Sequence, residues 1–180
     1  MIDWNVVVTV FDERGFRLAK RLMADFGPVF TTDYFNVLVM KVPDVEAFAE
    51  QICALFEETP GYLNDISRIV PAHAGFDYAS PDEFAQKAEK VVLGWADRLA
   101  GKSFYIRLHR RGFRGRIVSP EAERALDAAL LERLGEAGHP GHISFEDPDM
   151  AIDIETVGNR AGLSIWTRDE LARFAFLHVD

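Results

Sequence analysis

Phe104-Tyr105-Ile106-Arg107-Leu108-His109-Arg110-Arg111-Gly112-Phe113-Arg114-Gly115-Arg116, followed by Ser119-Pro120-Glu121, is the stretch on which the reading of this chain turns. Phe104, Ile106 and Leu108 alternate with Tyr105, Arg107 and His109 at the two-residue period of a strand with one buried face. The other face is aromatic and basic, and a loop with glycines at 112 and 115 continues it. Ser119 then reads as an N-cap with proline at the first helical position, opening a helix on Ala122, Leu126, Ala129, Leu130 and Leu134.

Charge makes this segment stand out. The chain of 180 residues has a net charge of −9, which by itself argues against a polyanionic partner. From Gly101 to Val118, however, there are six cations and no acid: Lys102, Arg107, Arg110, Arg111, Arg114 and Arg116. The rest of the chain holds 14 basic and 29 acidic side chains, so the cations form a local footprint on an acidic background. Arginines fork onto phosphate oxygens, and exposed Tyr105, His109 or Phe113 offers a face for an unpaired base. The chemistry expected of the segment is therefore RNA contact.

Upstream, Ser80-Pro81-Asp82-Glu83 is a capping box that opens a helix with Phe84, Ala88, Val91, Val92, Trp95 and Leu99 on one stripe, ended by Gly101. Downstream, residues 142–145, 150–156 and 161–166 read as strands, with a turn at Val157-Gly158-Asn159-Arg160. Thr167-Arg168-Asp169-Glu170 caps a closing helix that runs to about Phe176. The first seventy residues follow another order. Trp4 to Val10 is a strand covered on both faces, and Phe16, Ala19, Leu22, Met23 and Phe26 mark a helix stopped by Gly27-Pro28. Two strands at 29–32 and 37–42 follow, then a helix capped by Asp44 and a strand at 66–70. The order β-α-β-β-α-β is that of the ferredoxin-like split unit. The fold class expected is α+β, with a ferredoxin-like domain at 1–72, a linker at 73–79 and a second α+β domain at 80–180.

Several function classes find no support. Hydrophobic residues make up 48% of the chain, enough for a core, yet no run reaches the roughly 18 apolar residues of a membrane span. The start, Met1-Ile2-Asp3-Trp4, lacks a signal-peptide pattern, so a cytoplasmic protein is expected. Cys53 has no disulfide partner and reads as a buried apolar residue. His139 and His142 lie in a loop without a cysteine nearby. Asp147, Asp149, Asp153 and Glu155 read as a solvated acidic face and ion-pair partners for arginines, so neither metal nor cofactor is expected. No nucleophile, general acid–base pair or phosphate-cradling motif stands out, and the chain is read as not an enzyme. In the first helix Arg14, Arg17 and Arg21, with Lys20 beside them, form a basic face that reads as ordinary surface or as a continuation of the RNA path.

Residues 80–176 resemble the THUMP domain, an RNA-binding module of tRNA-modifying systems. The resemblance is carried by Leu108-His109-Arg110-Arg111-Gly112, by the Ser119-Pro120 helix start, and by Asp147-Pro148-Asp149 before the strand at 150–155. The family more often has asparagine where this chain has Asp147. Ile66-Ser67-Arg68-Ile69-Val70-Pro71 resembles the strand that closes the preceding ferredoxin-like domain in the tRNA cytidine acetyltransferase adaptor family. The resemblance implies an adaptor that holds the acceptor stem and 3′ end of tRNA for a modifying enzyme such as an acetyltransferase, with no catalytic domain of its own. It adds Arg68 to the RNA-binding set of Lys102, Tyr105, Arg107, His109, Arg110, Arg111, Arg114 and Arg116. The competing readings are a protein-interaction module facing an acidic partner and a small enzyme using the ferredoxin-like sheet.

Overall fold

The computed structural model describes residues 2–178, which divide into two compact units. One comprises residues 2–73 together with Leu171–His178, and the other Ala74–Glu170.

In the first unit β1 (Val6–Val10) is a β-branched run buried almost throughout, as a strand covered on both faces must be. The Asp12 carboxylate accepts the Gly15 N–H at 2.9 Å and starts α1 (Glu13–Met23), which buries Gly15, Ala19 and Met23 at four-residue intervals. Then come β2 (Val29–Thr31), β3 (Val37–Met40) and α2 (Val45–Glu58), the last capped by Asp44 accepting from the Ala47 N–H at 2.8 Å. Phe48, Ile52 and Phe56 form the buried stripe of α2. A 3-10 turn at Pro60–Asn64 leads into β4 (Ile66–Pro71). The sheet is antiparallel in the order β2-β3-β1-β4, with Val7 opposite both Val39 and Val70. Gly15 is forced by close packing, since a Cβ there would lie 2.1 Å from the Asp65 carbonyl oxygen.

Residues 171–178 also belong to this unit, which corrects the assignment of the whole stretch 80–180 to the second domain. The closing helix stops at Arg173 because Phe174-Ala175-Phe176-Leu177 is too apolar to stay on a surface helix. The Ile69 N–H donates to the Phe176 carbonyl at 2.8 Å, and the Phe176 ring meets Phe56 edge-on at 6.1 Å. These contacts use the open edge of β4.

The second unit has a sheet in the order β5-β9-β8-β6-β7, formed by β5 (Ala74–Asp77), β6 (Ser103–His109), β7 (His142–Ile143), β8 (Met150–Val157) and β9 (Arg160–Thr167). β6 runs parallel to β7 and β8, while β9 is antiparallel to β8 and β5. One face packs on α3 (Pro81–Leu93) and α5 (Ser119–Glu136). Its core joins Phe84, Ala88, Val92, Leu126, Leu130 and Leu134 to Phe104, Ile106, Leu108, Ile152, Ile154 and Leu163. Ser80 caps α3 as read from sequence, with its hydroxyl accepting the Glu83 N–H and the Glu83 carboxylate accepting the Ala79 N–H.

Three sequence readings change here. Residues 74–77 are the edge strand β5 rather than linker, held by the backbone of β9 through a segment too short to show a period. The helix opened at Pro81 breaks at Gly94, and a separate turn, α4 (Ala96–Leu99), finishes it. Val118 rather than Ser119 is the N-cap of α5, and its side chain has nothing to cap with. The last helix, α6 (Arg168–Arg173), starts with the capping box read from sequence: Thr167 accepts from the Glu170 N–H and donates to its carboxylate.

Candidate nucleic-acid interface

The loop from Arg110 to Val118 is built from inside outward. Gly112 and Gly115 take φ of 108° and 74°, in the left-handed region that favours glycine, and so reverse the chain twice. Phe113 also has positive φ, 49°, and spends it on turning its ring inward to lie 5.1 Å from Tyr78. Ile117 is buried, and the N–H groups of Arg116 and Ile117 both donate to the Phe113 carbonyl at 3.0 Å. The Arg111 N–H donates to Thr156 Oγ1 at 2.9 Å, and its carbonyl accepts from Gly158, which ties the loop to the β8–β9 hairpin. Fixing the apolar members in this way turns Arg114 and Arg116 outward.

Those two side chains are exposed and make no ion pair among the described residues. The Arg116 guanidinium stacks on the Phe113 ring at 5.0 Å, which limits its motion without using its donors. Arg110 is half-buried and donates to the Gly112 carbonyl. The loop leads directly into the N-terminus of α5, the positive end of that helix's dipole. This is a cationic surface held in shape by its own core.

The other sequence-predicted residues have different fates. Arg111 is directed at Glu155, which is 1% exposed, and its guanidinium pairs with that carboxylate. His109 faces Asp153, itself fully buried, with Nε2 3.7 Å from Oδ1. Of the two readings of Asp153 and Glu155, a solvated face or partners for arginines, Glu155 follows the second through Arg111; neither is in water, because both lie in the middle of the sheet on the side opposite the helices. His109, Asp153 and Glu155 bring three potential ligand atoms within 4.8 Å of one another. That donor set suits a divalent cation in kind, and the Arg111 guanidinium supplies the positive charge there in this structure.

Tyr105 is 5% exposed and cannot offer a ring face to a base, nor can Phe113. Arg68, 8% exposed, donates its Nε hydrogen to the Leu177 carbonyl at 3.2 Å inside the first unit, so it is not a surface cation. Arg107 is partly exposed, with its guanidinium 5.6 Å from the rings of Tyr105 and Phe145 and 3.8 Å from Glu123. Lys102 is exposed but precedes β6, while the loop follows it, and the eight steps along the strand set it about 26 Å from Arg110. The six cations that are continuous in sequence are thus not one patch.

Sequence reasoning missed Phe145. It is 64% exposed and lies over Arg107, giving an aromatic face of the kind wrongly expected of Tyr105. The sequence reading places it at the end of a strand over 142–145, whereas β7 stops at Ile143 and leaves Phe145 in a loop between Ser144 and Glu146. It also missed Asp127 of α5, whose acid pKa is pushed up to about 6, chiefly by burial and then by neighbouring Glu123, with Arg107 opposing. Asp149, by contrast, is held below the usual carboxylate range, first by the Ser103 N–H and then by the Ser103 hydroxyl, at 2.9 and 3.0 Å. Asp147 beside it has φ of 48°, a conformation that asparagine tolerates well and that fits the family's preference there.

Residues 78–165 match the family model of the THUMP domain. This chain carries a THUMP domain. Among curated proteins it is similar to tRNA sulfurtransferases: 29% identical over 140 residues to that of Marinobacter nauticus, covering 76% of this chain and 26% of the relative. The Pyrobaculum aerophilum protein is 31% identical over 131 residues, covering 64% and 25%. The chain spans about a quarter of the length of these two relatives. Its fold is similar to TrmN of Thermus thermophilus, with a TM-score of 0.60 at 19% identity over 91% of this chain and 45% of that one. It is also similar to a 4-thiouridine synthetase solved with RNA and ATP, with a TM-score of 0.56 at 12% identity over 92% and 42%. The expectation of a chain outside enzymes is overturned: the THUMP domain and its flanks match parts of proteins named as enzymes. The inventory of catalytic motifs failed because the region shared with them contains none of those motifs.

Proposed function

We propose that this chain binds tRNA, and that its THUMP domain holds the acceptor end for a tRNA modification. The observation that carries this is the loop 110–118, in which Phe113 and Ile117 anchor the backbone while Arg114 and Arg116 point outward without ion-pair partners among the described residues. Cations without acidic neighbours have no counter-charge to give up when they meet a phosphate, and two arginines a residue apart span adjacent phosphates. Phe145 over Arg107 offers a separate stacking face for an unpaired base of the 3′ tail. The similarity to tRNA sulfurtransferases and to a 4-thiouridine synthetase bound to RNA supports sulfur transfer as the modification that this binding serves. Acetyl transfer has no counterpart among those relatives.

The first unit is, on this reading, a ferredoxin-like domain, supported by its β-α-β-β-α-β order and the antiparallel strand order β2-β3-β1-β4. Filter binding with total tRNA, with and without its 3′ CCA end, tests the function. Tight binding that weakens when the CCA is removed is expected, and equal affinity for both would remove the acceptor end from the account.

A further inference from the structure

A groove of about 580 Å³ opens in the first unit between α1 and the 3-10 turn Pro60–Asn64. Arg14, Arg17 and Arg21 line one wall, and Thr59, Tyr62 and Asp65 the other. They face each other because Gly15 lets α1 approach the Asp65 carbonyl more closely than any side chain permits. Among the described residues Asp65 is the one carboxylate in the lining, and it pairs with Arg14 at 3.3 Å. Among the described residues Arg17 pairs only with Glu13, a side chain 88% exposed, and such a pair holds it weakly. The groove is cationic on a protein whose net charge is −9.

Two large aromatic side chains stand at the adjoining end of the sheet. Phe11 is 59% exposed and Phe35 is 88% exposed. The Phe11 backbone is fixed at both ends, since its N–H donates to the Asp65 carbonyl at 3.3 Å and its carbonyl accepts from the side chain of Asn36, the residue after Phe35, at 2.9 Å. Neither ring serves the core, and exposed aromatic faces beside arginines are the arrangement that single-stranded nucleic acid uses. Arg14 to Arg21 covers about 10 Å of helix axis, the axial length of about three phosphates on one strand.

We propose that this groove is a second RNA site, in which Arg14, Arg17 and Arg21 bind consecutive phosphates of an RNA strand and Phe11 and Phe35 stack on its bases. The inference rests on the tRNA-binding reading above and extends it to the first unit. An acidic protein partner explains the arginines but leaves the two exposed rings without a role.

The test uses the full chain with two double variants, Arg17→Gln with Arg21→Gln in the groove and Arg114→Gln with Arg116→Gln in the loop, and with Phe35→Ala. Each is checked for folding by circular dichroism, and tRNA affinity is measured against salt. Loss of two contacts is expected to flatten the slope of log K on log salt by about 1.4, which is about a 25-fold loss at 0.1 M relative to 1 M. Phe35→Ala is expected to weaken binding at every salt concentration with the slope kept. The two double variants should each lose a different stretch of nuclease protection on the tRNA. If the loop variant weakens binding while the groove variant and Phe35→Ala bind like the parent, the groove inference is overturned and the loop reading stands. If the groove variant weakens binding but Phe35→Ala does not, and polyglutamate competes with tRNA at the groove, the groove is a site for an acidic protein instead. A parent that binds no tRNA overturns both.

Discussion

Replacing Arg111 by alanine is expected to damage the fold rather than the interface. Glu155 is 1% exposed and its carboxylate pairs with the Arg111 guanidinium, so the substitution leaves a buried charge facing an empty space. Breaking a buried pair by removing one partner costs about 3–5 kcal/mol, a large part of the roughly 5–15 kcal/mol that holds a protein folded. For a chain of this size that corresponds to a fall in melting temperature of about 10 °C. The assay is urea denaturation followed by tryptophan fluorescence, since Trp166 lies on β9 of the same sheet. Glu155→Gln in the Arg111→Ala background removes the uncompensated charge and should recover about half the loss, which identifies the charge and not the missing side-chain volume as the cause. Arg114→Ala, on an exposed side chain, should change stability by no more than about 0.5 kcal/mol. An Arg111→Ala protein as stable as its parent but unable to bind tRNA would refute this reasoning and return Arg111 to the interface.

Three further outcomes follow from the same geometry. Gly15→Ala should destabilise the first unit by about 1–3 kcal/mol, read by thermal unfolding, because its Cβ would lie 2.1 Å from a backbone oxygen that cannot swing aside. Asp127 titrates near 6 in the folded protein against 3.8 as its ordinary value, so the folded state holds a proton that the unfolded chain has lost between those values. Stability should therefore fall as pH rises from about 4 to 6 and then level, and Asp127→Asn should flatten that fall in denaturation curves taken across the window. Tyr105→Ala should lower stability by about 3 kcal/mol, as expected for a large buried aromatic residue, and a stable variant with weakened RNA binding would show that the ring is not core.

Much of the fold could be read from the sequence because its signals are local. Asp44, Ser80 and Thr167 cap helices as their side chains dictate, and the β-branched run at Val6–Val10 could hardly be anything but an interior strand. What escaped the sequence depends on partners distant in the chain. Ala74–Asp77 becomes a strand because β9 offers it hydrogen-bonding groups, and residues 174–177 leave the second unit because β4 has an open edge. The candidate site shows the same division. The basic segment was evident from charge, but period-two alternation distinguishes only two faces of a strand and cannot say that both are buried. For that reason Tyr105 is assigned to solvent and a solvated face stays open for Asp153 and Glu155, while Phe145, which is in solvent, is passed over.

The central claim is that the two outward arginines of the loop 110–118 grip tRNA phosphates, and the salt dependence of tRNA affinity tests it most directly. Arg114→Gln with Arg116→Gln should bind more weakly than the parent at low salt, with the slope of log K on log salt flatter by about 0.7 for each arginine removed and the fold unchanged by circular dichroism. A double variant that is folded and matches the parent in both affinity and slope would contradict the account.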